Sequence, residues 1–347
     1  MSEKILAIDL GHRTSKCGAE AVPGATVWRK RIPTTPAAVH DVIAESDPDV
    51  VVVEACSQAF WVHDVASAMG KECVVTAMNG PEFKWAAQRS KSDDADVDRL
   101  LSMRRMGRLQ PVLVPAHDVR EWRTAIRHRH ALVRRQTRVR NRVRAVYRER
   151  AMALPEASSW TRAFLDELAK DARAFAKCGG ELWRGVLHQE LAQLTQLHKL
   201  ILESERTLNR IGKAHPAVAE LRRDGETGPR TAEALVAAIV DPLRFTRGKR
   251  VGCFAGLTPR RWQSGETDRQ GRISGAGDGL LRAMLVEVSW RAIRRSDSWE
   301  RRVFDQVSKG MKSRRKVAIV AVARKKLVRL WARWRDRELA QRAAAPS

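Results

Sequence analysis

Short apolar runs, several ending in or carrying an acid, set the pattern of the first third of the chain. Lys4–Leu10 (KILAIDL) is such a run with Asp9 near its end, and Asp49–Val53 (DVVVV) is another, followed at once by Glu54. Continuous apolar runs of this length predict strands buried on both faces. Cys17–Val22 and Thr26–Ile32 follow as strands after turns at Gly11 and Pro23-Gly24, Ala37–Ser46 and Phe60–Met69 read as helices, and Glu72–Met78 as a further strand. A helix then starts at Lys91-Ser92-Asp93-Asp94-Ala95-Asp96, with acids in its first turn as the helix dipole prefers.

From Arg120 the period changes. Trp122, Ile126, Leu132, Val139, Val143 and Val146 recur at three, four or seven apart from one step of six, which predicts one long helix with a single apolar stripe. A second long helix, from about Glu181 to Ile211, carries Leu187, Leu191, Leu194, Ile201 and Leu208 on its seam, and between the two lie a break at Leu154-Pro155 and a shorter helix over Trp160–Ala176. The two seams predict an antiparallel coiled coil or its half of a dimer. Further on, a Gly-x-x-Gly turn at Gly225–Gly228 precedes the helix Ala232–Val240, and Gly256–Gly265 (GLTPRRWQSG) reads as a turn-rich loop.

Charge changes the meaning of this pattern. Lys and Arg total 65 against 40 Asp and Glu, a surplus of +25 that calls for a polyanionic partner. Between Arg120 and Arg150 there are twelve arginines and two acids, so the outer face of the first long helix, including Arg134, Arg135, Arg138 and Arg142, is expected to bind phosphates. At 347 residues the chain is expected to hold three regions, 1–117, 118–212 and 213–347. The five cysteines never stand in CxxC spacing, which argues against a zinc cage or a disulfide framework. Without a signal-like N-terminus or an apolar run near the ~20 residues of a membrane span, the expectation is a soluble protein of the cytoplasm, nucleoid-associated and without a membrane partner.

The candidate chemistry follows from the strand order. Three strands, helix, strand, helix, strand, helix is the ribonuclease-H-like arrangement, in which side chains at the carboxyl ends of central strands converge with those of a following helix. Asp9, Glu54 and the pair Asp93 and Asp96, which share a helical face, would make a hard oxygen cage for Mg²⁺ (or Mn²⁺), the ions that serve phosphodiester chemistry. Spacing alone leaves Asp94 and Asp98 open as members of that set. In the glycine-rich stretch, Ser264 and Ser274 are exposed hydroxyls among Arg260, Arg261, Arg269, Arg272 and Arg282, and nothing local separates the two serines.

Taken together, Ile8-Asp9, Val53-Glu54-Ala55-Cys56, Asp93-x-x-Asp96 after Lys91, the arginine-rich coiled coil, and Phe254-Ala255-Gly256-Leu257-Thr258-Pro259 followed by Ser264-Gly265, Gly271-Arg272-Ile273-Ser274 and Leu281-Arg282 resemble one family along nearly the whole chain. It is the family of insertion-sequence transposases that join a RuvC-like DEDD domain to a serine-containing transposase domain, are guided by a bridge RNA, and are related to pilin-inversion recombinases. The resemblance implies a ribonuclease-H/RuvC-like α/β domain, a helical coiled-coil middle and a mostly helical serine domain. It also implies Ser264 as nucleophile, Asp9, Glu54, Asp93 and Asp96 as metal ligands, DNA ends and target with a structured guide RNA as partners, and a dimer or tetramer that completes the site. Cys56-Ser57 replaces a common Thr-Gly, Gly275 a common lysine, and Glu226-Thr227 the expected apolar residue and closer glycine. The rival readings are a RuvC-like metal-dependent nuclease, such as a junction resolvase, and a non-catalytic nucleic-acid-binding protein.

Overall fold

Strand β1 (Ile5–Asp9) is buried on both sides, which is why its sequence is an unbroken apolar run. Leu6 and Ile8 face one core and Ile5 and Ala7 the other. Around it form β2 (Thr14–Glu20), β3 (Trp28–Pro33), β4 (Val50–Glu54) and β5 (Glu72–Thr76), in the sheet order β3-β2-β1-β4-β5. The first three strands run antiparallel to their neighbours, while β1, β4 and β5 are parallel. Helices α1 (Pro36–Ser46) and α2 (Ala59–Ala68) cover one face through Val39, Val42, Ile43, Val62 and Ala66. The other face is covered by α3 (Asp93–Arg105), whose Val97, Leu100 and Leu101 meet Ile5, Ala7, Val50 and Val52. Each such aliphatic side chain contributes about 1.5–3 kcal/mol on full burial.

The computed structural model describes residues 3–20, 28–77, 93–155, 160–223, 225, 227–264 and 267–344, and they form two units, Met1–Pro115 and Ala116–Ser347. The first is the mixed α/β sheet just described, and the second is mainly helical. Two long helices open the second unit: α4 (His117–Arg148) and α6 (Leu182–Ala214), with the short α5 (Arg162–Asp171) between them. They run antiparallel, as expected. Trp122 and Ile126, early in α4, share a core with Leu208, late in α6, while Val143 and Tyr147 at the far end meet Leu187.

Behind them come α7 (Pro216–Arg222), α8 (Pro229–Ile239), α9 (Gly248–Phe254), the strands β6 (Pro259–Ser264) and β7 (Thr267–Ile273), and the helices α10 (Gly279–Ala292), α11 (Trp299–Ser308) and α12 (Arg315–Ala344). Every residue of α8 from Thr231 to Ile239 is buried, as a helix of Ala, Val and Leu on all sides must be. Its last carbonyls, Ala237 and Ala238, accept hydrogen bonds of 2.7 and 3.1 Å from Arg123 of α4, so this arginine ties the long helix pair to the helical core. Gly212 of α6 lies so close to α8 that a Cβ there would stand 2.4 Å from Glu233 Oε1.

Two ion pairs lie largely out of solvent in the second unit. Lys326 of α12 donates to Glu300 of α11 at 2.5 Å, both side chains out of solvent. Removing the ammonium alone would leave a buried carboxylate, at about 3–5 kcal/mol, whereas removing both charges costs little. Lys326→Ala is therefore expected to lower the urea midpoint sharply and Lys326→Met with Glu300→Leu to hold it near wild type; equal losses in both would contradict this. The second pair is Arg230–Glu233 at 2.9 Å, where burial pushes the Glu233 carboxyl up to about 7 from 4.5, outweighing the pull of Arg230, Arg222 and Arg129. The folded state thus binds this proton more tightly than the unfolded chain, and stability from Glu233 falls as pH rises from about 4.5 to 7. Relative to wild type, Glu233→Gln should gain stability between pH 5 and pH 8 in urea titrations; a constant difference would refute the shift.

Candidate functional site

Parallel pairing sets the first group of candidate residues. Ile8 stands opposite Val53, so Asp9 and Glu54 leave the sheet side by side at the carboxyl ends of the two central strands. Asp9 is half-buried and Glu54 exposed. Across the ladder on β2, Lys16 is the neighbour of Asp9. Helix α3 lies on the sheet through Val97 and Leu100, and Asp93 and Asp96 each precede one of these by four residues, so both occupy the helical face turned to the sheet. The side chain of Asp93 lies outside the described residues.

The remaining acids of this helix are used differently. Lys16 donates to Asp94 at 2.9 Å and Arg29 to Asp98 at 2.7 Å, so both carboxylates are tied to β2 and β3. The Lys16 hydrogen bond holds the Asp94 carboxyl below its ordinary range. Asp96 pairs with Arg99 of its own helix at 3.0 Å. Among the described residues no three His, Cys, Asp or Glu side chains are already gathered as a metal cage. The donor set nevertheless suits a hard divalent ion, being carboxylate oxygen throughout. Cysteine chemistry does not compete here, because burial pushes the Cys17 and Cys73 thiols up to about 12.

The second group is the arginine face of α4. Its apolar stripe, Trp122, Ile126, Leu132, Val139 and Val143, is buried against the neighbouring helices, which forces the arginines between outward. Arg134, Arg135, Arg138 and Arg142 are all exposed. Arg142 makes a 3.3 Å ion pair with Glu149, while the other three have no ion pair among the described residues. Other arginines of the same helix serve the fold: Arg129 pairs with Glu205, and Arg140 and Arg144 stack on Trp160 at 5.5 and 5.2 Å.

The stretch read as a loop is a β-hairpin, a correction to the sequence reading. Strands β6 and β7 pair antiparallel with Ser264 opposite Thr267, so Ser264 closes its strand at the hairpin tip and Gly265-Glu266, outside the described residues, connect the two. The Ser264 side chain is likewise outside the described residues. Ser274 lies at the opposite end, its N–H donating to Thr258 O at 2.9 Å to close the base. The hairpin thus separates two serines that composition could not. Arg261 spans the strands with bonds of 2.7 and 2.5 Å to Asp268, and Arg260 donates to Ser274 O at 3.2 Å. Arg269 and Arg272 are exposed on β7. Arg282 donates to Ala255 O at 3.0 Å.

Below the base the backbone is tightly folded. Gly256 has φ +65°, and a Cβ there would lie 1.9 Å from Ala276 O and 2.6 Å from Arg282 Nη1. Gly277, at φ +90°, is as close to Phe254 O. Only glycine fits at either position, which explains Ala255-Gly256-Leu257 and Gly275-Ala276-Gly277 as a scaffold for the hairpin. Sequence reasoning missed the cavity beside this scaffold, about 880 Å³ and lined by Lys249, Arg302, Arg324 and Arg329. Its cations come from three separated helices and leave no local signal.

Residues 6–150 match a transposase family model of the IS110 DEDD type, and residues 226–305 match the transposase IS116/IS110/IS902 family. The chain is 29% identical over 310 residues to a putative transposase, y4rJ, of Sinorhizobium fredii, covering 82% of this chain and 76% of that protein. It is 27% identical over 291 residues to a probable family 20 transposase of Pseudomonas aeruginosa, 83% of each chain. With the transposase for insertion sequence element IS1111A of Coxiella burnetii it shares 22% identity over 338 residues, 95% of this chain and 89% of that one. With a DEDD domain toward its N-terminus and the second transposase domain following it, the chain carries the domains of an IS110-family transposase.

Proposed function

We propose that this transposase cuts and rejoins DNA through Ser264, with the carboxylates of the first unit holding a divalent ion and the arginine face of α4 holding the backbone of a structured guide RNA. The observation that carries the reading is the pairing register: it sets Asp9 beside Glu54 and lays the Asp93/Asp96 face of α3 on the same sheet, while Asp94 and Asp98 are drawn off by Lys16 and Arg29. The strand order β3-β2-β1-β4-β5 supports a ribonuclease-H/RuvC-like domain. The resemblance supplies the dimer or tetramer; the seam of α4 and α6 is already buried within one chain, so it is not the contact between subunits.

Ser264 Oγ attacks the phosphorus of a DNA phosphodiester. The Oγ–P bond forms as the P–O bond to a deoxyribose oxygen breaks; the serine proton leaves and the departing hydroxyl gains one. One phosphoester replaces another, so a second strand's hydroxyl can reverse the exchange and rejoin DNA without an added energy source. Asp9, Glu54, Asp93 and Asp96 would hold Mg²⁺ or Mn²⁺, which would supply Lewis-acid charge for phosphodiester chemistry. Arg269 and Arg272, exposed on β7, would orient phosphates, whereas Arg260 is braced by Ser274 O, Arg261 by Asp268 and Arg282 by Ala255 O, so these three shape the hairpin and the turn beneath it. No helix among the described residues is long and apolar enough to cross a membrane.

On a DNA strand-cleavage substrate, wild type should form a covalent protein–DNA adduct, and Ser264→Ala should form none; an adduct in the variant sinks the serine assignment. Asp9→Asn and Glu54→Gln, like EDTA, should lower recombination by about 10²-fold or more, and free 5′-phosphate ends without adduct would favour a nuclease instead. For the arginine face, Arg134→Ala/Arg135→Ala/Arg138→Ala should weaken binding to structured RNA at low salt. It should also reduce the slope of log K against log salt by roughly two to three units, since each phosphate contact contributes about 0.7–0.9. An unchanged slope removes these residues from the interface.

A further inference from the structure

The cavity beside the serine hairpin has chemistry that the reading above does not use. It lies among α9, α11, α12 and Pro259, the first residue of β6. Lys249, Arg302, Arg324, Lys325 and Arg329 line it together with Trp299, and among the described residues no carboxylate does. Lys249, Arg302, Lys325 and Arg329 are exposed, and none of the five makes an ion pair among the described residues.

A second cavity, about 590 Å³, shares Trp299 and Arg302 with the first and adds Arg291 and Arg295. Of its acids, Glu300 is held by the buried Lys326 at 2.5 Å, and Asp297 is exposed, 3.9 Å from Arg295. Trp299 therefore stands where two cation-lined cavities meet. It opens α11, where Ser298 caps the helix by accepting from Arg301 N at 3.1 Å, and the Arg329 guanidinium and Lys326 Nζ lie 4.7 and 5.6 Å from its ring centre, so a base that stacks there takes the place of the exposed Arg329. A flat aromatic wall set among cations is what a base and its flanking phosphates need. Volumes of this order take small molecules, roughly 300–1,000 Å³; a stacked, paired duplex does not enter them, whereas an unpaired base does.

We propose that this cleft binds an unpaired DNA strand, with a base against Trp299 and phosphates on Lys249, Arg302, Arg324 and Arg329. The proposal rests on the reading that the Ser264 hairpin works on DNA. Strand β6 begins at the cavity wall and ends at Ser264, about 17 Å of extended chain at 3.4 Å per residue, so a strand seated in the cleft is within a few nucleotides of the hairpin tip.

Cys253 gives a direct readout, because it is exposed and lines the same cavity. In full-length protein carrying Cys56→Ser, Cys253 is the exposed thiol among the described residues, Cys17 and Cys178 being buried and Cys73 half-buried. The rate of maleimide addition at Cys253, followed by peptide mass spectrometry, is compared with oligothymidylate, the same length of duplex, and oligouridylate, each at equal occupancy by fluorescence anisotropy. The single DNA strand should slow the reaction at least ~10-fold and the duplex should leave it unchanged. Arg302→Glu with Arg329→Glu should abolish the protection, and Trp299→Ala should weaken oligothymidylate binding about 10-fold while Trp299→Phe restores most of it.

An unprotected thiol under bound oligothymidylate, equal protection by duplex, or protection by oligouridylate alone would overturn the proposal. The two readings fail separately. A covalent adduct at an unprotected Cys253 removes the cleft and leaves the serine mechanism. A protected Cys253 in a protein that forms no adduct does the reverse.

Discussion

Folding 51 cations with 25 acids in residues 116–347, without stranding a charge in the interior, is the constraint on which the second unit depends. The structure meets it in several ways. Arg123 is spent on the carbonyls that end α8, and Arg129 and Lys326 on single acids. Others lie on aromatic rings: Arg140 and Arg144 on Trp160, Arg244 between Phe245 and Phe254 at 4.5 and 4.7 Å, and Arg335 on Trp331 at 4.8 Å. A tryptophan-rich, tyrosine-poor composition fits this arrangement, since indole is the best of the aromatic faces for a cation. Among the cations not used in this way are Arg134, Arg135 and Arg138 on the outer face of α4 and Lys249, Arg302 and Lys325 at the cleft beside Trp299.

Much of this architecture is legible in the sequence where local pattern and burial agree. β1 and β4 are buried on both sides, so their apolar runs are unbroken, and each predicted strand or helix of the first unit is present within a few residues. The seams of α4 and α6 are equally plain, because Leu187, Leu194, Ile201 and Leu208 are buried at heptad spacing. The hairpin was not legible. Its strands hold Pro259, Gly271 and several charged residues, no apolar alternation marks them, and pairing depends on contacts across the hairpin and its base: Arg261 with Asp268, Thr258 with Ser274, and the steric demands at Gly256 and Gly277.

The same division holds for the site. Spacing places Asp93 and Asp96 on one helical face but leaves Asp94 and Asp98 open; those two are tied to Lys16 of β2 and Arg29 of β3, whereas Asp96 pairs with Arg99 of its own helix. Among the arginines, sequence gives the surplus and the face, while only tertiary contacts separate the braces, such as Arg123, Arg261 and Arg282, from the exposed Arg134, Arg135 and Arg138. Charge composition therefore identifies the class of partner and tertiary contacts identify which cations remain to meet it.

The central claim is that a serine of the hairpin becomes esterified to DNA. Its most direct test is to stall the wild-type reaction on a nicked suicide substrate, digest the protein and the DNA, and locate the residual nucleotide by tandem mass spectrometry. The account predicts one modified peptide, with the phosphate on Ser264. A phosphate on Ser274 or any other residue, or no nucleotide-bearing peptide from a substrate that has been cut, would contradict it.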